Sequence, residues 1–153
     1  FKIPKTKIIE EKGLIVALDD IRDPGNLGTI IRLCDWFGIK QLICSETTVD
    51  VYNPKVVQST MGSILRVKVL EADVTELLAS CKLPIYGAVL EGKSLHATQF
   101  AKEGVLIIGN ESKGIRPALI NVITDPVTIP KFGAAESLNA AVATGILLAA
   151  FRH

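Results

Sequence analysis

Short apolar runs recur along the chain, at Leu14 to Asp19, Gln41 to Cys44, Arg66 to Leu70, Ile85 to Leu90, Val105 to Ile108 and Val127 to Ile129. They are flanked by Gly, Pro or Asp, and most are rich in Val and Ile, the pattern of strands buried on both faces of a sheet. The segments between them have helical periodicity. Leu27, Ile30, Ile31, Cys34 and Phe37 mark one face of a helix that Gly38 ends. Pro54 to Met61, Val74 to Cys81 and Pro117 to Val122 read as shorter helices. Strand alternating with helix predicts an α/β fold, a mostly parallel sheet with helices on both faces.

The last helix, from about Ser137 to Phe151, is apolar all round, with Ala, Val, Ile and Leu on every side of its axis. Such a helix must be buried on all sides. It either threads into the core or packs against a second subunit, and a homodimer is the simpler expectation. Its apolar stretch falls short of the ~20 residues that a bilayer crossing needs, so no membrane span is expected.

At 153 residues, 48% of them hydrophobic and 22% charged, the chain is one domain's worth of sequence and not a disordered one. The 17 basic residues nearly balance the 16 acidic ones, so the net charge of +1 carries no electrostatic footprint for nucleic acid. If the substrate is a polyanion, local geometry must hold it, or another domain or subunit must supply charge. The N-terminal lysines, Lys2, Lys5, Lys7 and Lys12, are followed by no apolar signal-peptide core, which points to a cytoplasmic protein. The chain opens on Phe1 instead of Met, as a truncated or processed chain would. Cys34, Cys44 and Cys81 lack a C-x-x-C spacing and are odd in number, so they read as reduced, mostly buried thiols and not as a disulfide framework or zinc site.

Gly87 to Ser94 matches the phosphate-loop pattern G-x-x-x-x-G-K-[ST] letter by letter. The match reads as accidental, because Ala88, Val89 and Leu90 continue a strand where the loop should be, and Leu95 to Thr98 makes a poor helix start. Three other stretches carry more chemistry. The first is Asp19-Asp20-Ile21-Arg22-Asp23-Pro24-Gly25-Asn26-Leu27-Gly28, followed by Arg32, at the carboxyl end of the first strand, where open α/β sheets place ligands. In a purely structural reading Asn26 caps the helix and Arg32 pairs with Asp35. In a functional one Gly28 clears space beside Arg32 for a ligand or another chain. Asn26 and Arg32 would point about 120° apart on one helix, so they converge only if Asn26 lies in the loop.

The second stretch is Gly109-Asn110-Glu111-Ser112-Lys113-Gly114, a glycine-bounded polar turn directly after a buried strand. The third is Ile129-Pro130, followed by Glu136-Ser137-Leu138-Asn139 at the head of the apolar helix. There Ser137 reads structurally as the N-cap, while exposed helix-terminal N–H groups beside Leu138 and Asn139 would equally suit a carboxylate or polar cofactor.

Together these stretches resemble the motifs of the SpoU (TrmH-like) family of RNA 2′-O-ribose methyltransferases in the α/β-knot superfamily. The resemblance runs from about Leu14 to Phe151 and includes Pro54-Lys55-Val56-Val57 and Met61-Gly62-Ser63. It implies a C-terminal trefoil knot, a homodimer, tRNA or rRNA as substrate, and S-adenosylmethionine as cofactor with no metal. By residue it implies Arg32 as the catalytic group, with Asn26, Glu111, Ser137 and Asn139 shaping the site, and Ala88, Gly109, Ile129 and Leu138 contacting the cofactor. Residues 13–153 would be the catalytic domain and 1–12 an extension or linker remnant. Many relatives carry an RNA-recruiting domain ahead of the catalytic one, whereas about a dozen residues precede the first strand here. Two competing readings are a knotted methyltransferase acting on an RNA base nitrogen and a non-catalytic RNA-binding dimer of the same fold.

Overall fold

The computed structural model describes residues 12–153, so the predicted extension lies outside the described residues apart from Lys12. Six strands form one sheet in which every pairing is parallel: β1 (Leu14–Leu18), β2 (Gln41–Ser45), β3 (Lys68–Ala72), β4 (Ile85–Ser94), β5 (Gly104–Ile108) and β6 (Asp125–Thr128). The helices are α1 (Pro24–Trp36), α2 (Pro54–Ser59), α3 (Val74–Ala79), α4 (Pro117–Ile120) and α5 (Ala140–Phe151).

The period of two along β1 divides the core. Leu14, Val16 and Leu18 face a cluster with Leu27, Ile30, Ile31 and Cys34 of α1, Val56 of α2 and Leu147 and Leu148 of α5. Ile15 and Ala17 face the opposite cluster, which holds Val74 and Leu78 of α3 and Leu119 of α4. Helices therefore cover both faces, and each fully buried aliphatic side chain contributes about 1.5–3 kcal/mol of transfer free energy.

The strand order is β3-β2-β1-β5-β4-β6. From β1 the chain builds outward to β3, then crosses to the other side of β1. The order therefore reverses between β1 and β5, and the crevice outside the carboxyl ends of those two strands is where such a sheet takes a ligand. The first polar stretch leaves β1 and the second leaves β5, so the two are neighbours at that point.

The motif-like segment Gly87 to Ser94 lies entirely within β4, and only a single 3₁₀ turn, Leu95–Ala97, follows it. Its two glycines are packing positions. A Cβ on Gly87 would lie 2.2 Å from Ile123 Cδ1, and one on Gly92 would lie 2.8 Å from the Pro126 backbone. β4 bulges between Ala88 and Lys93, both of which pair with Val127 of β6.

Gly28 also proves to be a packing residue and not a clearing for a ligand. A Cβ there would lie 2.3 Å from Ser59 Cβ and 2.7 Å from the Val56 carbonyl oxygen, so α2 sits directly on it. Gly28→Ala gains up to about 1 kcal/mol in helix propensity. Overpacking a helix contact costs typically 1–3 kcal/mol, and the steric side wins because the obstacle is backbone. The expected result is a lower urea midpoint at unchanged slope; a raised midpoint would show that α2 yields freely.

Cys34 and Cys44 are buried and serve as structural groups. Burial, reinforced by the Glu71 charge, pushes Cys44 up to about 12, and burial with Cys44 nearby raises Cys34 as well, so neither offers a thiolate near neutrality.

Candidate functional site

Asp23 is the N-cap of α1, its side chain accepting from Asn26 N at 2.8 Å, with Pro24 at the first helical position. Asn26 therefore lies inside the first turn and does not cap the helix, and its side chain is free for other partners. Its Nδ2 donates to Glu111 Oε1 at 3.4 Å, and its Oδ1 accepts from Asn139 Nδ2 at 2.9 Å. Asn139, not Ser137, caps α5, with Oδ1 taking the N–H groups of Ala141 at 2.9 Å and Val142 at 3.2 Å. One side chain thus ends the third polar stretch, starts the last helix and grips the first stretch.

Glu111 is fixed from the other side. Its carboxylate accepts from the backbone N–H of Arg22 at 3.4 Å and of Asp23 at 3.2 Å. The turn that presents it closes on itself through Asn110 N to Gly114 O at 3.1 Å and Gly114 N to Asn110 O at 3.0 Å. A Cβ on Gly109 would lie 2.4 Å from the Gly114 carbonyl carbon and Ile115 N, and Gly114 has φ +71°, so both glycines are required by the turn itself. Two further anchors tie the turn to the end of β1. Asn110 Nδ2 donates to Asp20 O at 2.7 Å, and fully buried Asp19 accepts from Arg116 N at 2.8 Å and Arg116 Nε at 2.6 Å.

The result is an open cleft of about 540 Å³ lined by Arg22, Asp23, Pro24, Asn26, Glu111, Ser137, Leu138 and Asn139. The structure thus brings together Asn26, Glu111, Ser137, Leu138 and Asn139 of the nine expected site residues. Ala88 and Ile129 pack as partly buried side chains against the core, and Gly109 lies beneath the turn; none of the three lines the cleft. Arg22, Asp23 and Pro24 were not singled out from sequence, although all three stand in the first polar stretch. The usable signal was an Asp-Pro helix start after a strand end, with a lone cation before it.

Arg32 stands apart. Because Asn26 is helical, the two side chains diverge as the helix geometry requires, and Arg32 is exposed and does not line the cleft of its own chain. Nor does it pair with Asp35. That carboxylate takes Arg66 Nε at 2.9 Å and Ser63 Oγ at 2.7 Å, which hold it below the usual carboxylate range. Arg32 shares its exposed stripe with Thr29 and Trp36.

α5 is not enclosed on every side within one chain. Ala140, Ala141, Thr144, Leu147 and Leu148 are buried, but Val142 is 51% and Ile146 38% exposed. Among the described residues no helix is long and apolar enough to cross a membrane, and no group of three or more His, Cys, Asp or Glu could hold a metal ion.

The SpoU rRNA Methylase family model matches residues 13–149. Over 150 residues the chain is 31% identical to the 23S rRNA (guanosine(2553)-2′-O)-methyltransferase RlmP of Bacillus subtilis, covering 95% of this chain and 60% of that protein. Over 144 residues it is 31% identical to the tRNA (guanosine(18)-2′-O)-methyltransferase of Aquifex aeolicus, covering 90% of this chain and 68% of that one. The crystal structure of an AdoMet-bound rRNA methyltransferase from Sinorhizobium meliloti superposes with TM-score 0.88 at 34% identity, covering 95% of this chain and 58% of that one. The chain spans little more than half of several relatives it matches. With the match running from before β1 to within α5, and the three polar stretches meeting at one cleft, the chain belongs to the SpoU rRNA methylase family.

Proposed function

We propose that residues 13–153 form the catalytic domain of an S-adenosylmethionine-dependent methyltransferase acting in the cytoplasm on a ribose 2′-hydroxyl of tRNA or rRNA. The observation that carries this reading is the bonded series Glu111–Asn26–Asn139, which draws three segments distant in sequence onto one cleft. Amides and a carboxylate so held offer donors and acceptors to sugar hydroxyls, and 540 Å³ is within the range of small-molecule sites.

S-adenosylmethionine suits this surroundings of apolar Leu138 among polar groups, and when bound it supplies an electrophilic methyl. Leu138 would contact it from the cleft wall, while Gly109, Ile129 and Ala88, which do not line the cleft, would support that wall from beneath. A C-terminal knot would carry α5 back through the chain. The passage from central β5 past β4 to edge β6, then back to α1, supports such threading.

A ribose hydroxyl is a weak nucleophile, so the site must stabilise charge developing on its oxygen. Arg32 suits that task. It does not suit general-base work, because a guanidinium with pKa above ~12 keeps its proton in a protein. Arg32 is exposed and does not line the cleft of its own chain, which supports a second copy of the chain as the one that it serves. The N-termini of α1 and α5 both lie at the cleft, and along these helices the exposed side chains include Thr29, Arg32 and Trp36 on α1 and Val142 and Ile146 on α5. A homodimer packed on those side chains would cover the apolar ones and bring Arg32 to a shared site.

The test maps methyl groups on total RNA from cells with and without the protein, then repeats the transfer in vitro on the acceptor RNA with the target nucleotide in 2′-deoxy form. Methyl transfer should vanish with the hydroxyl. A methylated base nitrogen, or transfer that survives the deoxy substitution, would overturn the reading.

A further inference from the structure

Arg22 is the one cationic side chain among the residues lining the cleft, and the geometry points to it as a contact for the RNA phosphate beside the target ribose. This inference rests on the ribose-methylating reading above.

Arg22 is placed by a pedestal. Its Nε donates to Asp20 Oδ1 at 2.5 Å. Asp20 sits at φ +58°, a left-handed conformation uncommon outside glycine, though Asp tolerates it better than most, and its surroundings hold it there. The hold is visible: Asp20 N donates to Ser45 Oγ at 2.9 Å, and Asp20 Oδ2 and O both accept from Asn110 Nδ2. Burial acts to raise the Asp20 carboxyl, but hydrogen bonds from Arg22 and Thr47 and the charges of Arg22 and Lys113 together hold it below its ordinary value. The pedestal therefore stays charged wherever RNA is stable.

Only one edge of the guanidinium is used. Among the described residues Nε alone finds an acceptor, and the side chain is 65% exposed at the cleft rim. A planar fork with free N–H groups matches phosphate oxygens in paired fashion. The neighbouring carboxylates are already engaged: Asp23 by Asn26 N, and Glu111 by two backbone N–H groups and Asn26 Nδ2. In RNA the 3′-phosphate hangs from the carbon next to the one bearing the 2′-hydroxyl, so a cleft that takes the ribose must meet phosphate charge at its edge. A chain of net charge +1 has no general field for a polyanion, and one well-aimed guanidinium supplies locally what the overall charge does not.

The experiment measures binding of a fluorescein-labelled oligouridylate across a salt series, and of S-adenosylmethionine by calorimetry, for wild-type protein, Arg22→Ala and Arg22→Lys. Losing one phosphate contact should weaken RNA binding about tenfold and reduce the slope of log affinity against log salt by about one, with cofactor affinity unchanged. Arg22→Lys should restore the slope but not the full affinity, because a point charge lacks the fork. Equal RNA affinity and slope in wild type and Arg22→Ala would overturn the inference while leaving ribose methylation standing. A selective loss of cofactor affinity would also overturn it, by assigning Arg22 to the methionine carboxylate. Arg22-dependent binding together with methylation of a base would sink the ribose reading alone.

Discussion

Arg32→Ala is expected to lower methyl transfer by about 10²–10³-fold, the usual loss on removing one group that stabilises a developing oxyanion, while S-adenosylmethionine affinity and thermal stability stay at wild-type values. The stability half follows from the structure. Arg32 is exposed on α1, its ion-pair candidate Asp35 is taken by Arg66 and Ser63, and it does not line the cleft where the cofactor is proposed to bind. The activity half follows from chemistry. Arg32→Lys keeps the positive charge but replaces a fork by a point charge, so it should recover part of the rate. Full recovery would make the role purely Coulombic, and transfer by Arg32→Ala at the wild-type rate would remove Arg32 from the reaction.

Much of the fold was legible because burial on a sheet leaves a period that the chain cannot hide. The alternation of β1 between two cores, the Val- and Ile-rich inner strands and the α1 face of Leu27, Ile30, Ile31 and Cys34 all follow the sequence pattern. Element ends were less legible, since they depend on which polar side chain wins the cap. α1 begins at Pro24, ahead of Leu27, because Asp23 takes the cap, and α5 begins at Ala140 because Asn139, not Ser137, takes it. β4 runs on to Ser94 because Gly92 lets the β6 backbone come close. Gly28 shows why local sequence misleads: a missing side chain announces a close approach without saying whether ligand or helix makes it. The cleft was legible in its three polar stretches. The bonding that joins them was not, because Glu111–Asn26–Asn139 contacts span 85 and 113 residues of chain.

The second large effect concerns the uncovered side of α5. If the proposed homodimer packs on this side, Ile146→Glu should halve the molecular mass in solution, weakening self-association by about 10²–10³-fold or more, because an unpaired carboxylate in an apolar interface costs several kcal/mol and each 1.4 kcal/mol is about tenfold. The fold should survive, since Ile146 is 38% exposed in the single chain and a glutamate there reaches water. Sedimentation together with thermal melting separates the two, and an unchanged mass would show that another surface joins the subunits or that none does. If Arg32 serves a site shared between subunits, activity falls with the mass, and a further consequence distinguishes sharing from mere stabilisation. Arg32→Ala and Glu111→Ala subunits, each inactive alone, should regain activity when mixed. Random pairing puts one intact cleft beside one intact arginine in half of the dimers, so about a quarter of the wild-type rate is expected. Mixtures that stay inactive would place Arg32 and Glu111 of the same chain in one site and require α1 to turn from the position it holds here.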